Sequence, residues 1–283
     1  MRAKILFPTL MLLVIGGMAY AQGPPAELHG WVDLTYSSKY VWRGFDIYDD
    51  KSAIHPSVDL SYGPFGVNVT GHRANSGEFE NGERWDYNLY YVGGLNMDQP
   101  YALQYRFGWV YYNYPDQPTE GSPAPGTQNA ALYELHGIFS FPKILPGGLV
   151  PSYVLVKLWP ADSGSYSGAR TTTPYVRALD GTASGWAHIF MLDYAVTTGG
   201  LLPETPEQVW NLHAETVYND GVGPAGQRVD HDWTNAVFGI STNFDLAENV
   251  TLTPGVYYQI TMDKSVNDDK DETWASVGIR YKF

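Results

Sequence analysis

From Leu28 onward, apolar and polar residues alternate with period two along most of the chain. In Leu28–Trp42 the even positions read Leu28, Gly30, Val32, Leu34, Tyr36, Ser38, Tyr40 and Trp42. The odd positions read His29, Trp31, Asp33, Thr35, Ser37, Lys39, Val41 and Arg43. Successive side chains of a strand point to opposite faces, so this segment predicts a strand with one greasy and one polar face. The pattern recurs. Val58, Leu60 and Tyr62 alternate with Ser57, Asp59 and Ser61. Trp85, Tyr87 and Leu89 alternate with Asp86 and Asn88. Tyr105, Phe107 and Trp109 alternate with Gln104 and Arg106. Tyr133 and Leu135 alternate with Glu134 and His136. Leu212 and Ala214 alternate with His213 and Glu215. At the end, Val277, Ile279 and Tyr281 alternate with Ser276, Arg280 and Lys282. Val150–Trp159 is apolar in both phases and receives no face from its pattern. Pro56 and Pro254 each remove a ladder donor, which predicts a bulge or bend at both.

The strands number about twelve, and bacterial outer-membrane barrels have an even count. The connections sort by length. Short ones at Gly63–Gly66, Asn96–Pro100, Pro142–Gly148 and Asp245–Asn249, with Thr198–Glu207 somewhat longer, alternate with long polar ones. The long ones are Asp46–Lys51, Ala74–Glu83, Tyr114–Asn129, Ala161–Ala183, Asn219–Asp232 and Asp263–Asp271. A soluble sandwich has no reason to sort its loops this way. The sequence therefore predicts an all-β, membrane-spanning antiparallel up-and-down β-barrel with short periplasmic turns and long external loops. The even residues of Leu28–Trp42 are expected to face lipid. Aromatic residues fall where two interfacial girdles belong. The outer girdle is expected from Tyr40, Trp42, Trp85, Trp109, Tyr111, Trp159, Trp186 and Tyr218. The inner is expected from Tyr62, Tyr101, Phe141, Tyr194, Trp210, Phe244, Tyr281 and Phe283.

The first residues give the route. Arg2 and Lys4 precede an apolar run through Ile15, and Ala19-Tyr20-Ala21 is a small-x-small cleavage pattern, so residues 1–21 read as a cleaved signal peptide. Residues 22–283 then form a single barrel domain in the outer membrane of a Gram-negative bacterium. The chain carries 17 Lys and Arg against 30 Asp and Glu, and loses two cations with the leader. That acidity excludes a nucleic-acid partner. No cysteine is present, so disulfides, thiol nucleophiles and Cys-ligated metals are excluded. The 22 Tyr, 9 Trp and 11 Phe favour strands over helices. The expected partners are outer-membrane lipid and lipopolysaccharide, small polar solutes, and the barrel-assembly machinery, through the C-terminal Phe283.

Four stretches carry a family resemblance: Ser38-Lys39-Tyr40-Val41-Trp42-Arg43-Gly44, Asp86–Tyr90, Gly108–Pro115 and Tyr133-Glu134. With the terminal Phe, they resemble the TorF-type family of outer-membrane porins. The resemblance covers most of the chain past the leader. It implies a barrel with a channel role and brings no solute and no catalytic residue.

The polar phase supplies the candidate lumen residues: Arg106, Glu134, His136, Asp86, Arg43, Asp33, His213, Glu215 and Arg280. Charges of both signs across a narrow passage hold a field that orders polar solutes. The same charges suit a paired network that fills the barrel. Arg106 sits mid-strand, with Tyr90 and His136 expected on neighbouring strands. Glu134-x-His136 and His213-x-Glu215 each place two metal-capable groups on one face, but no third ligand follows, so no metal or cofactor is expected. His72 and Ser76 invite comparison with barrel lipid hydrolases, yet His72 is in the inward phase and Ser76 in a loop. Asp46, Asp49, Asp50 and Asn267–Glu272 make the outer loops acidic, a pattern of solvated tips that also suits loose divalent-cation binding. The function expected is passive diffusion of small polar or charged solutes through a porin-like channel, with no catalysis. A lipid-acting barrel enzyme and a structural barrel with a closed lumen are the alternatives.

Overall fold

A computed structural model describes residues 27–116, 131–161, 185–201, 206–222 and 228–283. The expected leader and nearly all of loop 161–183 lie outside the described residues. Twelve wall strands follow one another: β1 Leu28–Ser37, β2 Ala53–Tyr62, β3 Phe65–Ala74, β4 Arg84–Leu95, β5 Leu103–Asn113 and β6 Leu132–Ser140. They continue as β7 Val150–Pro160, β8 Gly185–Gly199, β9 Glu207–Val222, β10 Arg228–Thr242, β11 Val250–Thr261 and β12 Glu272–Lys282. Phe244–Ala247 prolongs β10 beyond Asn243 along the start of β11. Each strand pairs antiparallel with the next, and β12 pairs with β1 from Trp31↔Lys282 to Ser37↔Ser276. The sheet closes on itself. Closure leaves no unpaired edge, the condition for strands to cross hydrocarbon.

The alternation translates directly into two faces. Leu34, Val256, Phe107 and Phe238 point outward with roughly half of their surface bare, as a lipid wall requires. Trp109, Tyr111, Tyr133 and Trp159 form a contiguous aromatic row on the outside of β5, β6 and β7 near their external ends. At the periplasmic rim the Phe283 ring lies over Gly30, where a Cβ would come within 2.6 Å of it. Gly30 and Phe283 also exchange both backbone hydrogen bonds, at 3.0 and 2.9 Å.

Three expectations are corrected. First, β1 stops at Ser37, so Tyr40 and Trp42 leave the lipid face and turn into the barrel. Second, neither proline makes a bulge: the β2–β3 register is the same on both sides of Pro56, and Pro254 pairs only with Val277 because the β10–β11 ladder begins at Gly255. A missing N–H is tolerated where the ladder has no bond for it. Third, most of the expected loop Asn219–Asp232 is strand, with β9 running to Val222 and β10 starting at Arg228. The register shifts fall there instead, at Val217/Tyr218 and Asn219/Gly221.

The two-phase apolar strand also resolves. The odd residues of β7 face out, whereas Val154, Val156 and Leu158 face in and are buried. With Val110, Tyr112, Leu132, Ala187, Ile189 and Val217 they form an apolar patch on the inner wall of β5 to β9.

Candidate functional site

What covers that patch is the first external loop, residues 38–52. It folds into the barrel. Val41–Trp42 and Phe45–Asp46 pair as a two-residue hairpin, with Arg43 at φ 49° and Gly44 at φ 90° in its turn. Positive φ at both central positions is the tight-turn conformation whose twist suits a hairpin, and the second position asks for glycine. Close approach asks for it again, because a Cβ on Gly44 would lie 2.5 Å from the Asn235 amide oxygen.

The loop is held from several walls. Trp42 packs edge-on against Tyr112 of β5 at 5.1 Å and joins the apolar patch. Arg43 donates to Glu134 of β6 at 2.5 Å. The Gly44 carbonyl accepts from Gln259 of β11 at 2.8 Å and from Asn267 at 2.6 Å. Phe45 is buried against Val266, and Tyr48 has no exposed surface. The Tyr48 hydroxyl reaches the His72 and Gly82 carbonyls at 2.8 and 3.0 Å. At the base of the loop Lys39 binds Asp50 and Glu272, the latter at 2.7 Å. Asp46, Asp50 and Glu272 are the acidic group whose oxygens converge within 4.8 Å, and the Lys39 ammonium bonds two of the three.

Beneath the loop lies a dense polar network. Arg84 is 2% exposed and donates to both oxygens of Asp86, at 2.7 and 2.8 Å, and to the Tyr40 hydroxyl at 2.5 Å. Its guanidinium lies 4.0 Å from the Trp42 ring centre. Glu134 accepts from Arg43, from Tyr112 at 2.6 Å, and faces His136 Nδ1 at 2.9 Å. Buried charges persist only when paired in this way. The external half of the lumen is therefore filled.

The periplasmic half is different. Arg280 stacks on Trp31 at 4.2 Å and meets Asp33 at 3.2 Å, with 42% of its side chain open. His213 sits between Asp193 at 2.7 Å and Glu215 at 3.4 Å. Arg106 lies 3.8 Å from the Tyr90 ring centre, and the Tyr90 hydroxyl donates to Asp59. No carboxylate pairs with Arg106 among the described residues, and its Nε is buried without a hydrogen-bond partner. Tyr90 and His136 stand on the two strands beside it, as expected, with His136 two residues along in register. His136 pairs with Gly108, and Arg106 pairs with Val92 and Ile138.

The nine sequence-selected residues fall into separate groups. Arg43, Asp86, Glu134 and His136 join the network under loop 1, whereas Asp33 meets Arg280, Arg106 stacks on Tyr90, and His213 bonds Asp193 and Glu215. The Glu134–His136 and His213–Glu215 pairs stand on β6 and β9 and do not meet. His72 uses both ring nitrogens on His55 and Asp86, which leaves neither for Ser76. Missed by the sequence reading were Arg84, Tyr48, Trp42 as an inner residue, and the whole plug. One signal for it was present: a barrel strand apolar in both phases has something covering its inner face.

The architecture finds a match among solved structures. The NanC porin superimposes with a TM-score of 0.53 at 9% identity, covering 89% of this chain and 100% of that one. The chain has the fold of a small outer-membrane porin. The KdgM porin, solved in complex with disordered oligogalacturonate, gives 0.49 at 10% identity, covering 89% and 99%. No model of a known protein family matches the sequence, and no curated protein does. The likeness extends to the fold and carries no solute with it.

Proposed function

We propose that the protein is an outer-membrane channel for passive diffusion of small polar or charged solutes, with loop 1 forming its constriction. One observation carries this reading: the lower lumen carries partly exposed charged side chains such as Arg280, and among the described residues Arg106 has no carboxylate to neutralise it. A purely structural barrel has no use for an unpaired inner cation, since burying it uncompensated is costly. The stretch Ser38–Gly44, one of the four that carry the TorF-type resemblance, lies in the plug, in keeping with the channel role that family implies. Export through residues 1–21 and assembly through Phe283 complete the reading.

A second reading has its own support. Phe45 and Tyr48 are 1% and 0% exposed, so loop 1 packs like a core segment and a permanently closed lumen follows. Conductance in planar bilayers separates the two. The channel reading expects unitary currents from the intact protein and larger ones when residues 39–50 are replaced by a short Gly-Ser turn. Silence in both proteins, each shown to be inserted, would establish the closed barrel instead.

A further inference from the structure

Under loop 1 four polar side chains form a chain in which each bond dictates the next. The Ser37 Oγ lies 2.8 Å from His55 Nε2, and His55 Nδ1 lies 2.8 Å from His72 Nδ1. His72 Nε2 lies 3.0 Å from Asp86 Oδ2. An ionised carboxylate only accepts, so His72 carries its proton on Nε2. Its Nδ1 is then a lone pair, and His55 must donate from Nδ1. That leaves His55 Nε2 as an acceptor for the Ser37 hydroxyl. The tautomers follow from the network, with one ring proton on each histidine. Ser37 is only 6% exposed, which keeps substrates away from this chain.

The same chain touches the plug. The Tyr40 ring of loop 1 stacks on His72 at 4.6 Å and 9° and lies 4.9 Å from His55. Tyr48 of loop 1 bonds the His72 carbonyl. From β4, Arg84 and Asp86 face the pair. From β1 it is Ser37, and from the loop Tyr40 and Tyr48. Those are the titratable and charged groups around the histidines.

We propose that the His55–His72 pair is a proton-operated latch on loop 1: it holds the plug when at most one extra proton is present and releases it when both rings are charged. This rests on the channel reading above. One added proton is accommodated, because His55 takes it on Nε2 and the Ser37 hydroxyl turns to accept. A second has only His72 Nδ1 left. Two N–H groups then oppose each other across a hydrogen-bond distance, both rings are cationic, and Arg84 adds a third charge nearby. Backbone pairing fixes His55 and His72 in β2 and β3. Tyr40 is on the loop, so the loop is what yields.

Two measurements on the intact protein test it. Hydrogen exchange of residues 39–50, corrected for the intrinsic pH dependence of exchange, reads the loop whether or not the barrel conducts. Bilayer conductance reads the pore. As pH falls from about 7 to about 3, loop exchange and current are both expected to rise several-fold, in a step that requires both rings to be charged. The double variant His55→Asn/His72→Asn is expected to lose the pH step in both. Loop exchange that does not change across this range overturns the latch. So does a step that survives in the double variant and disappears in His136→Asn, which would assign it to the Glu134 anchor. A pH-dependent loop in a barrel that never conducts keeps the latch and overturns the channel reading.

Discussion

Arg43, at the tip of loop 1, donates to Glu134 on the wall strand β6 at a separation of 91 residues in sequence. Glu134 is buried, at 3% exposure, Arg43 is mostly covered, at 13%, and Tyr112 and His136 share the same carboxylate. The contact ties the turn of the plug to the barrel wall.

Breaking that tie from one side leaves a buried charge alone. Arg43→Ala is expected to destabilise the protein by about 3–5 kcal/mol, the usual cost of removing one partner of a buried pair. Glu134→Ala should cost a similar amount and raise proteolytic sensitivity within residues 38–52. Urea titration of refolded protein checks the first and limited proteolysis the second. Full stability in both variants would show that the plug is held by its remaining contacts without this pair.

At the base of the loop the expected pH response has a defined sign. The Lys39 hydrogen bond holds Asp50 below its usual value of 3.8. Burial opposes the charge on Lys39, but its bonds to Asp50 and Glu272 outweigh this and hold the ammonium above its usual 10.5. The Asp50 contribution is present above about pH 3.8 and lost as pH falls through its lowered value. That of Lys39 is present below 10.5 and lost as pH rises through its raised value. The base of the loop should therefore be constant in the neutral range, apart from the histidines. Asp50 is 69% exposed, so Asp50→Asn is expected to cost less than about 1 kcal/mol. Lys39→Met should cost more, because Glu272 is 7% exposed and loses its cation. Comparing the unfolding midpoints of the two variants tests the order.

If the barrel conducts, Arg106 should set part of its selectivity. A cation in the lumen raises the potential felt by passing ions. Arg106→Ala is expected to shift the reversal potential in a salt gradient toward cation preference, with little loss of stability because no ion pair is broken. An unchanged reversal potential alongside clear conductance would remove Arg106 from the permeation path.

On the outer wall, Val277 of β12 faces lipid and is 38% exposed. Val277→Arg is expected to cost about 2–4 kcal/mol in the bilayer if the residue lies near the midplane. Heat-modifiable mobility on gels, which reports the closed barrel, should fall in proportion. Normal amounts of the folded band would place Val277 at an interface.

The wall was legible in the sequence because each strand solves a local problem: lipid on one side and polar side chains on the other. Leu34, Phe107 and Ile279 announce their face by their neighbours two residues away. The plug was not legible for the opposite reason. Tyr40 and Trp42 continue the alternation of β1 without a break, and nothing local distinguishes an aromatic that meets lipid from one that meets Tyr112 and Arg84. Only the inner residues of β7 hinted at a partner, and they do not say which segment it is. Arg84 was hidden similarly, since an arginine at a strand end reads as rim solvation until loop 1 is laid over it.

The pairing of β1 with β12 has a consequence for how the molecule forms. Every other wall contact joins neighbours in the chain, so the sheet can grow hairpin by hairpin with modest loop-closure entropy at each step. The seam joins Trp31 to Lys282 and, through its backbone bonds, Gly30 to Phe283, and it needs the whole chain. Until the last strand arrives the sheet carries two raw edges, which are templates for pairing with other chains. The terminal phenylalanine thus sits on the last and longest-range contact of the barrel. Its loss would act on the rate of seam closure, and so on aggregation during assembly, far more than on the stability of barrels that have already closed.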